Sequence, residues 1–213
     1  MDSLKKITTM LPLCCFLILM SLSSCSSGID DEAAISRGLR AALDRGVQLN
    51  PEERELYEIM NRYRNSKGLR AIPLSPSLTK VAQLHARDLQ DHKPGGKCNM
   101  HSWSENGPWS SCCYTSDHAA AQCMWDKPRE LTSYPGNGYE IAHGCGLGGA
   151  RTNARTALEG WKHSSGHNSV IINRSIWKDI DWNAVGVAVN GSYAVIWFGS
   201  EPDTQIERTS SSK

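Results

Sequence analysis

The sequence predicts an α+β domain, a small sheet covered by helices on both faces, with a long irregular stretch inserted in it. Three observations predict this three-layer α-β-α sandwich. Two capped helical segments precede residue 93, a Val/Ala-rich hairpin lies near the carboxy terminus, and the stretch from Lys97 to Gly149 is rich in Gly, Cys, Trp and Pro.

The first helix is marked by Asn50 as N-cap, Pro51 at the first helical position, and Glu52 and Glu53 against the positive end of the helix dipole. Leu56, Ile59, Met60 and Tyr63 recur at helical spacing, and Gly68 ends the run. Ser75-Pro76 opens a second helix carrying Leu78, Val81, Ala82, Leu84 and Leu89, which ends before Lys93-Pro94-Gly95-Gly96. In the irregular stretch only a short helix near Ala119–Trp125 is expected, and a third helix follows over about Asn153 to Lys162. Ala184–Val189 and Ser192–Phe198 flank Asn190-Gly191, a strong hairpin signal. Val185, Val187 and Val189 alternate with Ala184, Gly186 and Ala188, so both faces are apolar and both need cover.

The amino terminus predicts export. Lys5 and Lys6 precede an apolar run from Met10 through Leu22. That run is shorter than the roughly 20 residues a membrane-spanning helix needs and suits the apolar core of a signal peptide. Leu22-Ser23-Ser24-Cys25 then resembles a bacterial lipobox, which makes Cys25 the lipidated residue and the lipid anchor a membrane partner. The chain divides into a signal peptide (1–24), the lipidated cysteine with a tether (25–50), a folded domain (51–201) and a polar, disordered tail (202–213). Residues 26–50 read as a spacer that lifts the domain off the bilayer, although Ile35, Leu39, Ala42 and Leu43 could line a modestly amphipathic helix. Loss of residues 1–24 removes Asp2, Lys5 and Lys6 and leaves no net charge. That balance offers no electrostatic footprint for nucleic acid.

Five cysteines remain beyond Cys25: Cys98, Cys112, Cys113, Cys123 and Cys145. In an oxidising compartment they are disulfide candidates, expected to form two bridges with one thiol left over. The adjacent pair Cys112 and Cys113 is expected to bridge elsewhere, because a vicinal disulfide distorts the peptide between its residues.

Several motifs occur together in order. Asn61-x-x-Arg64, Gly68-Leu69, Leu74-Ser75-Pro76-x-Leu78, Ala82 and Ala86 come first; His101-Ser102-Trp103 follows; then Trp161-x-x-Ser164-x-Gly166-His167-x-x-x-Ile171-Ile172-Asn173; then Asp181-Trp182-Asn183-Ala184-Val185-Gly186-Val187-Ala188. Together, over about residues 53–200, they resemble the CAP superfamily of cysteine-rich secretory proteins, antigen 5 and plant pathogenesis-related proteins, in a bacterial lipoprotein form. The resemblance implies a central cleft lined by two histidines and two acids, which in some members holds a divalent cation. His101 and His167 match the histidine positions, and imidazole is a common ligand for such an ion. The acids depart from the pattern. Glu140 stands one position later than the acid of the family's Gly-Glu-Asn segment. One position reverses a side chain in an extended strand, so Glu140 reaches the cleft only if the backbone shifts. Ser164 replaces the second acid, and Glu105 is a spare carboxylate near His101. The expected cleft set is His101, Glu140, His167, Ser164 and Glu105, with His101, His167 and Glu140 as ligands for zinc or another divalent cation.

Two functions follow from the resemblance. One is an envelope-anchored binding module for a lipid, a sterol or an envelope protein, on the outer membrane or cell surface. The other is a metal-assisted, peptidase-like hydrolase using His101, His167 and a glutamate. Weaker signals are set aside. Gly144-x-Gly146-x-x-Gly149 lacks the strand and the downstream acid of a dinucleotide site. His163 and His167 have zincin spacing, but the glutamate is missing and Gly166 is expected to interrupt the helix; Ser164 sits in no Gly-x-Ser-x-Gly elbow. His85, His92, His118 and His143 read as surface or structural. Trp103 and Trp109 are placed to rim a groove.

Overall fold

The computed structural model describes residues 23–144 and 150–204, with side chains from residue 28 onward. The helices are α1 (Ser23–Asp44), α2 (Pro51–Asn65), α3 (Pro76–Asp91), α4 (Ala121–Trp125), α5 (Lys127–Leu131), α6 (Ala154–His163) and α7 (Ser165–Ile171), followed by a 3-10 turn, Ser175–Trp177. The strands are β1 (Tyr139–His143), β2 (Ala184–Asn190) and β3 (Tyr193–Gly199). They form one antiparallel sheet in the order β1-β3-β2.

The expected helix starts are present. Asn50 Oδ1 accepts from Glu53 N and Glu53 Oε2 accepts from Asn50 N, each at 2.9 Å, so α2 begins with a complete capping box. Ser75 Oγ accepts from Leu78 N at α3. Asn61, buried in α2, binds Ile72 twice, with Nδ2 donating to its carbonyl and Oδ1 accepting from its amide. The Asn61-x-x-Arg64 motif is therefore structural, since it fixes the crossing of residues 69–74 beneath α2.

The sheet is covered on both faces, as its two-sided apolarity requires. One face packs on α2, α6 and α7 through Ile141, Val185, Val187, Ile196, Trp161 and Trp182. The other meets α3 and the irregular segment through Ala142, Ala184, Ala188, Val195 and Trp197. A side chain at Gly186 would strike the backbone of Leu78, so glycine lets α3 lie directly on β2.

Four sequence expectations need correction. The tether is no free spacer: Ile35, Leu39, Ala42 and Val47 are buried in the main core, so the folded unit begins within α1 rather than at 51. An amphipathic stripe of four apolar residues buries once a complementary helix face is available. The tail is also ordered at its start, because Asp203 accepts from Ser75 Oγ, Ser77 N and Ser77 Oγ and so caps α3. Within the irregular stretch, Tyr139–His143 is a strand, paired along its length with β3. Gly166 does not break a continuous helix; it lies inside α7, which starts afresh after Ser164.

Cys98 pairs with Cys113, and Cys112 with Cys123. Neighbouring cysteines thus bridge in different directions, as expected, and staple a segment with few regular hydrogen bonds. Cys145 and the Gly146–Gly149 part of the glycine motif lie outside the described residues, as do residues 1–22 of the signal segment, the Cys25 side chain and residues 205–213.

Candidate functional site

The central group of the molecule is a carboxylate held between two imidazoles. In β1, Tyr139 and Ile141 face the α2 and α6 side while Glu140 and Ala142 face α3. Glu140, opposite Trp197 in the register, is therefore carried inward beneath the irregular loop. Its side chain has no exposed surface. Oε1 is bonded by Nδ1 of His85, and Oε2 accepts from Nδ1 of His101 at 2.8 Å.

His85 comes from α3, where it continues the stripe Leu78, Val81, Ala82, Leu89 that the helix presents to the sheet. It is fully buried, and its second nitrogen, Nε2, faces the carbonyl of Ser102 at 2.9 Å. Both ring nitrogens therefore face acceptors. The His85–Glu140 pair must hold a proton between the two groups, whichever partner carries it. The ring also stacks on Trp103, with centroids 4.3 Å apart and planes 8° from parallel. Burial alone would push Glu140 up; the His85 charge and the bonds from His101 and His85 outweigh it and hold the carboxyl below its ordinary range. Burial works against the His85 cation too, yet Glu140 and the Ser102 carbonyl hold that imidazole above its usual value.

His101 comes from the loop after Cys98, positioned by Asn99 Oδ1 accepting from its backbone amide and by the Trp103–Cys112 bridge. Its side chain is 21% exposed. With Nδ1 committed to Glu140, Nε2 is the nitrogen left for a ligand. The His167 ring, on α7, makes no hydrogen bond to another described residue. Burial, together with the charges of His101 and His143, pulls its imidazole below the usual value. The two family histidines are thus within electrostatic reach of one another, and only His101 contacts the carboxylate.

A buried support layer surrounds this group. Asp88 accepts from Ser104 N at 2.8 Å and from Ser104 Oγ at 2.5 Å, fixing the loop to α3. Lys127, 1% exposed, donates to Glu130 Oε2 and to the Ser110 carbonyl and lies 5.4 Å from the Trp103 ring centroid.

The other expected site residues lie elsewhere. Glu105 is exposed and lines a separate groove of about 770 Å³ with His92, Lys93, Trp103 and Ser104. Trp103, itself buried, lines that groove, whereas Trp109, expected beside it at the rim, is not among the lining residues and packs edge-on against Trp103. Ser164 is the hinge between α6 and α7, where its carbonyl accepts from Asn168 N. Conversely, His85 belongs to the site despite reading as structural. The available signal was a histidine on the apolar stripe of α3, where a polar side chain requires a buried partner. Glu140 reaches the site from its displaced position because its strand carries it onto the α3 face.

The donors do not fit a divalent cation in the family's manner. Both Glu140 oxygens are taken by imidazole nitrogens, and His85 has no free nitrogen, which leaves, of the expected ligand set and among the described residues, His101 Nε2 and the His167 ring. Two ligands fall short of the three that open zinc sites use. Among the described residues, no group of three or more His, Cys, Asp or Glu side chains is arranged to hold a metal ion.

A sequence model of the cysteine-rich secretory protein family, CAP, matches residues 57–199. No curated protein matches the chain. Similar solved structures include an extracellular protein with an SCP domain from Bacillus anthracis, at 16% identity and TM-score 0.48, covering 73% of this chain and 45% of that one. An outer surface protein from Borrelia burgdorferi matches at 14% identity and TM-score 0.48, covering 73% and 96%. A cysteine-rich secretory protein from Staphylococcus aureus matches at 18% identity and TM-score 0.46, covering 73% and 40%. The chain thus spans less than half the length of the first and third. It belongs to the cysteine-rich secretory protein family.

Proposed function

We propose that this family member works outside the cytoplasm as a lipid-anchored binding module of a bacterial envelope, on the outer membrane or cell surface, with His101 and His167 as its ligand contacts. The ligand class is a lipid, a sterol or another envelope component that meets imidazole edges rather than a carboxylate. One observation carries the reading: Glu140 is enclosed, and both its oxygens are engaged by His85 and His101. A carboxylate in that state orients histidines and is unavailable to an incoming ligand.

The metal-assisted hydrolase needs a carboxylate free to ligate a metal or to take a proton from water. Glu140 is committed, and Glu105 faces a different groove. The disulfides support export, because bridged cysteines persist in oxidising compartments. Zinc analysis after dialysis of the purified protein against zinc at neutral pH tests the choice. Retained zinc should fall well below one ion per chain and be the same in Glu140→Gln. One ion per chain, lost in Glu140→Gln and in His167→Ala, would overturn the binding-module reading.

A further inference from the structure

Among the described residues, two large hydrophobic side chains are exposed: Ile29, 67%, on α1, and Ile176, 78%, on the 3-10 turn. They are far apart in sequence, and a chain of contacts through the carboxy-terminal half of α2 connects the segments that carry them. Glu32 of α1 pairs with Arg62 of α2, and the carbonyl of Ile35 accepts from the hydroxyl of Tyr57. The amino-terminal half of α1 therefore lies beside the carboxy-terminal half of α2. From there Tyr63 donates to Asn168 Oδ1 at 3.0 Å, and Arg64 Nη1 to Asn173 Oδ1 at 2.6 Å. Asn173 Nδ2 in turn donates to the carbonyls of Trp177 and Ile180.

The turn bearing Ile176 is built at a cost. Asn173 and Ser175, neither of them glycine, take positive φ values of 49° and 56°. Such backbone persists where its surroundings over-determine it, as buried Arg64 does here, and it concentrates at functional positions.

Helix α1 has begun by residue 25, and its stripe enters the core at Ile35. At 1.5 Å per residue, ten residues of helix span about 15 Å. A lipid on Cys25 would thus be joined to the core by a short helix, and Ile29 would lie about 6 Å along that helix from the acylated residue.

We infer that the segments bearing Ile29 and Ile176 rest together on the bilayer, with both side chains in the interfacial layer and α1 as a rigid strut from the lipidated Cys25. The inference depends on the lipoprotein reading in the proposed function. It makes the anchor set the domain's orientation as well as its location. Trp177, half-buried beside Ile176, is a residue type favoured at membrane–water interfaces. The segments around Ile29, the end of α2 and Ile176 carry both exposed cations (Lys67, Arg70, Arg174, Lys178) and exposed acids (Asp30, Glu32, Asp179, Asp181), so the contact does not depend on anionic lipid. It comes from the apolar tips and from the anchor's effect on local concentration.

The test uses lipidated full-length mature protein with labelled isoleucine δ1 methyl groups, in phosphatidylcholine nanodiscs carrying a headgroup nitroxide. The Ile29 and Ile176 signals should lose most of their intensity while those of Ile72 and Ile196 persist. The Cys25→Ser protein mixed with the same discs should show neither loss. If mass spectrometry finds Cys25 acylated but both methyls keep their intensity, the docking surface is wrong and the anchor stands. If Cys25 carries no acyl chain, the anchor reading fails and the inference with it. If the two methyl shifts instead follow protein concentration in the Cys25→Ser protein, a second copy covers this face and the bilayer assignment is overturned.

Discussion

The layer on α2, α6 and α7 and the layer on α3 flank the same sheet, yet they bury polar groups in different ways. Against α2, the polar side chains Asn61 and Arg64 reach chiefly for main-chain groups, at Ile72, Arg70 and Ile171. Trp161 and Trp182 likewise spend their indole protons on the carbonyls of Ala142 and Val170. Against α3, side chains bind side chains: His85 with Glu140, Glu140 with His101, Asp88 with Ser104, and Lys127 with Glu130. A side chain tied to backbone fixes a crossing and nothing more. Charged side chains tied to one another in a dry layer form a set whose protonation can be used, at a stability cost if it is broken.

The largest effects should separate the two layers by their dependence on pH. Glu140→Ala leaves His85 buried without its counter-charge and should cost about 3–5 kcal/mol in urea unfolding. Trp161→Ala should cost a similar amount, about 3–5 kcal/mol, by leaving a cavity. The first cost should vary with pH and the second should not. Glu140 is held below its ordinary 4.5, so its contribution is present above that value and lost as pH falls through its folded pKa. His85 is held above 6.5, so its contribution is complete below that value and lost as pH rises through its folded pKa. The cost of Glu140→Ala should therefore be greatest between pH 4.5 and 6.5 and shrink on either side.

Next in size are the disulfides, both on the α3 side. Cys112→Ser should cost about 2–5 kcal/mol. It should also raise hydrogen exchange in residues 97–126 before it does so in α2 or α6. Equal loosening of both layers would mean that the bridges do not belong to one layer.

The smallest expected effect concerns Asp203. Removing this cap from α3 with Asp203→Ala should cost about 0.5–2 kcal/mol, read as a lower urea midpoint with an unchanged slope.

The helices and the hairpin were legible because each is a local pattern: a capping box at Asn50, a Ser-Pro start at Ser75, and two-sided alternation around Asn190-Gly191. Strand β1 was not, because Tyr139-Glu140-Ile141-Ala142-His143 is short, carries a buried charge, and pairs with a partner more than fifty residues away. The site was half legible. His101, His167 and Glu140 stood out by motif, whereas His85 did not, since its partner comes from a strand that local pattern could not see. Glu105 misled by proximity in sequence: four positions beyond His101, it lies on a different groove. The burial of α1 escaped because its apolar stripe is weak alone and becomes decisive only against α2.

The central claim is that Glu140 belongs to two histidines, and nitrogen NMR of the His85 ring tests it most directly. At pH 6.5, the ordinary histidine value, the wild-type protein should show His85 with both nitrogens protonated in most molecules. In Glu140→Gln that ring should lose the second proton at the same pH. A His85 ring with one bare nitrogen in the wild type, unchanged in Glu140→Gln, would contradict the account.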